Sequence, residues 1–318
     1  MLTVFGSINM DFTFPVKSLP QAGETVLCPS YMANPGGKGC NQAVAAARAA
    51  GADSKIRFFA TVGADQHGTA LKGILPQRGL SADDLVTSQD RPTALAVIGV
   101  DEAGENQIIV ASGANLDADA ACVPDAALVP DTIVLMQAEV PESQNLKLIE
   151  RAARAGARPA LNLAPARPLS ETALELLDLL IVNEVEFKQA IADQDLTRGA
   201  EAAAVLRLAQ SHDLTVVLTL GKDGCIAATG NGEVWRARSL SVDAVDTTGA
   251  GDAFSGSLAL ALSEGQSLPD ALRFASTCAA LACRSHGAQE AVPNRDEIEQ
   301  HLPACPAPEQ LTLTSLTG

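Results

Sequence analysis

Residues 245–252 of this 318-residue chain read Val-Asp-Thr-Thr-Gly-Ala-Gly-Asp, and Ala253-Phe254-Ser255-Gly256 follow. The Gly-Ala-Gly turn feeds a helical apolar run (Ala253, Phe254, Leu258, Leu260, Leu262), so the amides of Gly249, Ala250 and Gly251 converge at a helix N-terminus. Unpaired N–H groups and the positive end of the helix dipole make such a place a site for an anion. Asp252 stands in the middle of it. A carboxylate there repels the anion unless it has a chemical role, and the role open to it is to accept a proton from a nucleophile. The bland alternative is an ordinary acidic residue in the first turn of a helix. Asp246-Thr247-Thr248 ahead of the glycines weighs against that.

Other strings carry chemistry of their own. Gly6-Ser7-Ile8-Asn9-Met10-Asp11 stands near the start, followed by Gly23-Glu24-Thr25 and by Gly36-Gly37-Lys38-Gly39-Cys40-Asn41-Gln42-Ala43. Asp11 offers two acceptor oxygens suited to neighbouring hydroxyls, and Gly36, Gly37 and Gly39 permit close approach of backbone to ligand. The same glycines also suit a flexible surface turn. No Gly-x-x-x-x-Gly-Lys-Ser/Thr occurs, so this is not a P-loop, and no Gly-x-Gly-x-x-Gly follows the first strand, which weighs against a dehydrogenase. Asn183 and Glu186, three apart after an apolar run, share one face if the segment is helical; a helix cap is the plainer reading. Phosphoryl transfer needs a positioned nucleophile, charge relief on the moving group and a metal on the leaving phosphates.

With Leu135-Met136-Gln137-Ala138-Glu139, Asn162-Leu163-Ala164-Pro165-Ala166, Asn183-Glu184-Val185-Glu186, Thr219-Leu220-Gly221 and Gly287-Ala288-Gln289, these strings resemble the signatures of the ribokinase-like (PfkB) family of sugar and nucleoside kinases. They occur in the family's order over 2–302. The resemblance implies transfer of the γ-phosphoryl group of ATP to the 5-hydroxyl of D-ribose, with Asp252 as base and Gly249, Ala250 and Gly251 as anion hole. Another neutral pentose or a nucleoside as acceptor, or a non-catalytic sugar-binding regulator, is the alternative. By the same resemblance Asn9, Asp11, Gly37, Lys38, Gly39, Asn41, Glu139 and Asp252 hold the sugar. Asn183, Thr219, Leu220, Gly221, Lys222, Gly224, Gly251 and Ser276 hold ATP, with adenine against 224–229 and the helix carrying Ser276. Family members often have Asn or His at that position, and Ser276 is shorter. Asn183 and Glu186 organise Mg²⁺ through water, and K⁺ sits among Asp246, Thr248, Ala282, Ser285, Gly287 and Ala291. Ala291 cannot supply the hydroxyl common at its place.

The elements that must position these residues alternate. Strands are predicted at 2–8, 56–62, 132–136, 158–163, 179–182 and 216–220, and helices at 41–50, 68–78, 142–155 and 199–211. Alternation of this kind makes an α/β protein with a parallel sheet covered on both faces, and ligands gather at the carboxyl ends of its strands. Residues 12–32 and 93–110 break the alternation and read as extended, hairpin-like pieces. The family resemblance makes the whole a three-layer α/β/α sandwich with a mostly parallel central sheet and a small β-sheet lid. Its kinase domain covers 1–302, its lid about 12–33 and 91–110, and two lids clasp in a homodimer. Residues 303–318, with three prolines, read as a disordered tail.

Composition sets the limits. A hydrophobic fraction of 47 % with 3 % aromatic residues means a core of Ala, Leu, Val and Ile. The net charge of −16 argues against nucleic acid or an anionic membrane as partner, though a nucleotide held by amides and a metal ion remains compatible. No apolar stretch is long enough to span a bilayer and no leader precedes Leu2, so a cytoplasmic location is expected. Seven cysteines without a Cys-x-x-Cys pair read as free thiols, and Cys40, inside the Gly-rich string, as a packing residue.

Overall fold

A computed structural model of the chain describes residues 1–190 and 200–312. Strand β1 (Leu2–Phe5) is followed by β2 (Asn9–Pro15), β3 (Met32–Gly36), α1 (Lys38–Ala49), β4 (Ile56–Gly63), α2 (Gln66–Ile74) and β5 (Leu85–Ser88). The hairpin β6 (Ala94–Val100) and β7 (Asn106–Ala111) precedes β8 (Ile133–Gln137), α3 (Glu142–Arg154), β9 (Arg158–Asn162), α4 (Glu171–Leu176), β10 (Leu179–Asn183) and α5 (Glu184–Ala190). Then come α6 (Glu201–His212), β11 (Thr215–Thr219), β12 (Cys225–Ala228), β13 (Val234–Ala237), α7 (Ala250–Ser263), α8 (Leu268–Ala282), α9 (Arg295–His301) and β14 (Glu309–Gln310).

Ten strands form one sheet in the order β14-β13-β12-β11-β10-β9-β8-β1-β4-β5, parallel from β11 to β5 and antiparallel beyond. Its parallel strands are mostly apolar on both faces because both are covered. One core lies against α1, α7 and α8, the other against α3 and α6. The strand order turns between β1 and β8, so the crevice at their carboxyl ends is where an α/β sheet receives a ligand. A second sheet, β3-β2-β6-β7, stands over that crevice, with β2 and β6 parallel and the other pairs antiparallel.

Three sequence expectations change. The first strand ends at Phe5, not residue 8, because Ser7 leaves the sheet: its carbonyl accepts from Cys40 N, and Ile8 N donates to Asn115 Oδ1. The second sheet therefore starts at Asn9, and only residues 12–15 and 32 of the predicted 12–32 piece are strand. The tail reading of 303–318 fails for 303–312. Arg273 binds the carbonyls of Leu302 and Cys305, Cys305 is buried, and Glu309–Gln310 pairs with β13 along the sheet edge. Residues 313–318, and the predicted start of α6 at Gly199, lie outside the described residues.

Close helix packing sets up the site. α7 is buried from Asp252 to Ala261 and lies across α1. A Cβ on Gly256 would stand 2.2 Å from the Gln42 carbonyl oxygen, so only glycine lets the two helices approach this far. That approach brings Asn41 and Gln42 to Asp252.

Candidate active site

Asp252, the third residue of α7, is 7 % exposed. Both its oxygens are engaged: Oδ1 accepts from Gln42 Nε2 at 2.9 Å and Oδ2 from Asn41 Nδ2 at 3.1 Å. Gly249 caps the helix with φ 75°, and no side chain caps its first turn. Of the three amides predicted to form an anion hole, Ala250 N donates to Thr247 O at 3.2 Å. Gly249 N and Gly251 N have no acceptor among the described residues.

The hydroxyl-binding candidates surround this carboxylate from the crevice side. Asp11 on β2 is largely buried, and its Oδ1 has no hydrogen-bond partner among the described residues. Burial, with Glu139 and Asp252 adding like charge, pushes the Asp11 carboxyl up to about 7. An orphaned buried acceptor beside like charges is what a polyhydroxylated ligand would satisfy. Glu139 Oε2 accepts from Ser7 Oγ at 2.6 Å and from Lys38 N at 2.9 Å, so one of its oxygens caps α1. Lys38 sits among Asp252, Glu139 and Glu186, and the Asp252 charge above all raises its ammonium pKa.

Asn41, Asn9 and the glycines also make contacts within the protein. Asn41 faces Asp252 with its Nδ2, and its Oδ1 accepts from Gln289 Nε2 at 2.8 Å, so it helps to hold the Asp252 carboxylate. Asn9 Oδ1 accepts from Asn115 Nδ2 at 2.8 Å. The glycines make room for protein as well as for ligand: a Cβ on Gly36 would lie 1.9 Å from Asp11 Oδ2, and one on Gly39 2.6 Å from Ser7 N. Gly37 opens α1 at the turn between them. Cys40 is buried, and burial pushes its thiol up to about 12, as expected of a packing residue.

A cavity of about 650 Å³ adjoins the start of α7 on its other side. Its wall includes Asn183, Thr219, Leu220, Gly221, Lys222, Gly224, Gly251 and Ser276, all eight residues predicted to hold a nucleotide. The far wall is Ser239–Val242 with Ala244 rather than 225–229, because β12 is buried in the sheet. Phe254, Ala279, Ala280 and Cys283 give that end an apolar lining. The cavity and the crevice meet at Gly251-Asp252.

Two places could take cations. Asn183 and Glu186 form a reciprocal helix cap: Asn183 N donates to Glu186 Oε2 and Glu186 N to Asn183 Oδ1, each at 2.8 Å. Glu186 Oε1 remains, and burial raises the pKa of this carboxyl. One carboxylate oxygen beside Asn183, which lines the cavity, suits a hydrated Mg²⁺, which keeps most of its waters. Asp246 accepts from Thr248 N at 2.9 Å and from Gly287 N at 3.1 Å, while Val245 N and Asp246 N donate to Cys283 O. Its turn is thus tied to the end of α8 (Ala282) and to the 285–291 segment with Ser285, Gly287 and Ala291. These hydrogen bonds hold the Asp246 carboxyl below the usual range against its burial. No group of three or more His, Cys, Asp or Glu suited to a metal occurs among the described residues. A lone carboxylate with carbonyls fits a weakly hydrated monovalent ion better than a transition metal.

Gln42, Gln137, Asn162, Asn115, Ser7 and Gln289 were not singled out as site residues from the sequence. All but Asn115 lie within the quoted strings, which was the available signal.

Comparison with known proteins agrees with this geometry. The model of the pfkB family of carbohydrate kinases matches residues 1–295. A ribokinase of Bacillus subtilis is 37 % identical over 305 residues, covering 95 % of this chain and 99 % of that protein. The crystal structure of a ribokinase from Thermotoga maritima superposes with a TM-score of 0.86 at 30 % identity, over 95 % of this chain and 99 % of that one. The structure of Arabidopsis thaliana ribokinase complexed with ribose and ATP gives 0.85 at 29 %, over 95 % and 98 %.

Proposed function

The chain belongs to the pfkB family of carbohydrate kinases, and on that premise we propose that it phosphorylates D-ribose at O5 with ATP. The observation that carries the reading is Asp252, next to Gly251 in the wall of a nucleotide-sized cavity and facing a crevice where Asp11 has a buried oxygen without a partner among the described residues. Asp252 accepts the proton of the sugar hydroxyl as the bond to phosphorus forms. A weak base suffices, because the proton leaves late in a loose transition state. The N–H groups of Gly249 and Gly251 and the positive end of α7 receive charge on the transferring group. Lys38, lying between the sugar carboxylates and Glu186, neutralises it from the other side. Asp11, Asn9 and Glu139 orient the sugar.

Mg²⁺ bound near Asn183 and Glu186 would offset the charge of the ATP phosphates. K⁺ beside Asp246, Thr248, Ala282, Ser285 and Gly287 would steady the Gly-rich turn, with water in the place of a hydroxyl at Ala291. The kinase domain takes in 1–302 and the segment to 312. The lid bears exposed apolar side chains, Met32, Val97, Ile108, Ile109 and Val110, which favour pairing with the lid of a second copy. The seven cysteines are free, which suits the reducing cytoplasm. No helix among the described residues is long and apolar enough to cross a membrane.

ADP formation with ATP, with and without ribose, in K⁺, Na⁺ and Li⁺ salts of equal ionic strength tests both parts. Ribose-dependent ADP release, fastest in K⁺, is expected, with Asp246→Ala removing the cation preference. No ribose-dependent release contradicts the kinase reading; equal rates in the three salts contradict only the ion.

A further inference from the structure

The carboxylate of Asp252 is oriented by a chain of amides that starts in the sheet. Asn162 Nδ2 donates to the Ile181 carbonyl at 3.2 Å. A carbonyl can only accept, so Asn162 must turn its Oδ1 the other way, where it receives Gln42 Nε2 at 2.9 Å. That fixes the nitrogen, not the oxygen, of Gln42 at the junction with Asp252 Oδ1, again 2.9 Å away. Gln42 Oε1, on the opposite side, accepts from Gln137 Nε2 at 2.7 Å. Both Nε2 hydrogens of Gln42 and its oxygen are therefore committed, and the whole amide is fully buried. It lines no part of the nucleotide cavity.

We propose that Gln42 is the positioning residue of the proton-accepting carboxylate, holding Asp252 in the one orientation that faces a bound hydroxyl. The inference rests on the reading of Asp252 as base. Ordinary helix geometry leaves a side chain at the third position of α7 a choice of rotamers. The amide of Gln42, pinned to β8, β9 and β10 through Gln137, Asn162 and Ile181, removes that choice. Asn41 completes the grip on Oδ2. The charged and titratable groups that face Asp252 besides these amides are Asp11 of β2, Lys38 and Cys40 of α1, and Glu186 of α5.

Steady-state kinetics of Gln42→Met and Gln42→Glu across pH, beside Asp252→Asn, test this. Met fills the space without donating, so kcat falls about 10- to 100-fold, as for a reacting group moved out of line. KM for ribose and for ATP stays within about threefold, since Gln42 touches neither. The Gln42→Glu change puts a second carboxylate against Asp252, and the acid limb of the kcat profile moves up by about one pH unit or more. A folded Gln42→Met enzyme with kcat within about twofold of wild type, or with its loss in KM, overturns the proposal. Should neither variant fold, Gln137→Leu decides: a fall confined to kcat supports the chain of orientation, and an unchanged kcat refutes it. If Asp252→Asn itself retains turnover, the base assignment has failed, and that outcome is separate from any result at Gln42.

Discussion

Asp252→Asn lowers kcat by roughly 10²–10⁴, the range a general base contributes. Asn keeps the shape of the side chain and can still accept from one amide, but it cannot take the proton of the sugar hydroxyl. The affinities for ribose and ATP, measured by calorimetry, change little because neither ligand depends on that proton. Stability falls modestly. The new Nδ2 meets a donor, either Gln42 Nε2 or Asn41 Nδ2, and a buried donor without an acceptor costs about 1–3 kcal/mol. A variant within about threefold of wild-type turnover would remove Asp252 as the base.

Discrimination between ribose and 2-deoxyribose is the second large effect. Asp11 Oδ1 is buried and unpaired among the described residues, so a sugar that lacks a matching hydroxyl leaves it so. The loss is about 1–3 kcal/mol, or about 5- to 150-fold in kcat/KM, and Asp11→Ala narrows the gap. Equal specificity constants for the two sugars in the wild type would contradict this role. The pH dependence has a definite sign. Asp11 rises from 3.8 to about 7 in the folded protein because burial, Glu139 and Asp252 all disfavour its charge. The folded state thus holds this proton more tightly than the unfolded chain. Its contribution to stability is full below the unfolded value and is lost as pH rises from about 4 through about 7. The ionised form is the one that accepts hydroxyls, so the ribose dissociation constant rises about tenfold per pH unit below 7 and levels above it. Titration of ribose affinity between pH 5 and 9, in roughly unit steps, reads the effect directly.

Most of this site was legible because its parts are short strings at strand ends. Thr219, Gly221 and Gly224 face one cavity with Ser276, a grouping that the family resemblance alone had suggested. The amide chain was not legible. Gln42, Gln137 and Asn162 lie in three separate segments, and only the register of β8 on β9 and the closeness of α1 to α7 bring them together. Asn115 is further still from the motifs, in a turn whose role appears only once Ile8 N and Asn9 are seen to depend on it. The edge strand β14 shows a different limit. Glu309 and Gln310 join the sheet through backbone groups, which leave no pattern of side chains to read. Prolines nearby suggested disorder, yet Arg273 and buried Cys305 fasten the segment.

The acceptor itself is tested most directly by specificity constants for a panel of neutral pentoses and nucleosides with ATP, with the position of the new phosphate read by NMR. The account predicts that D-ribose has the highest kcat/KM and carries its phosphate on O5. A nucleoside or another pentose turned over faster, or phosphate on any other oxygen of ribose, would contradict it.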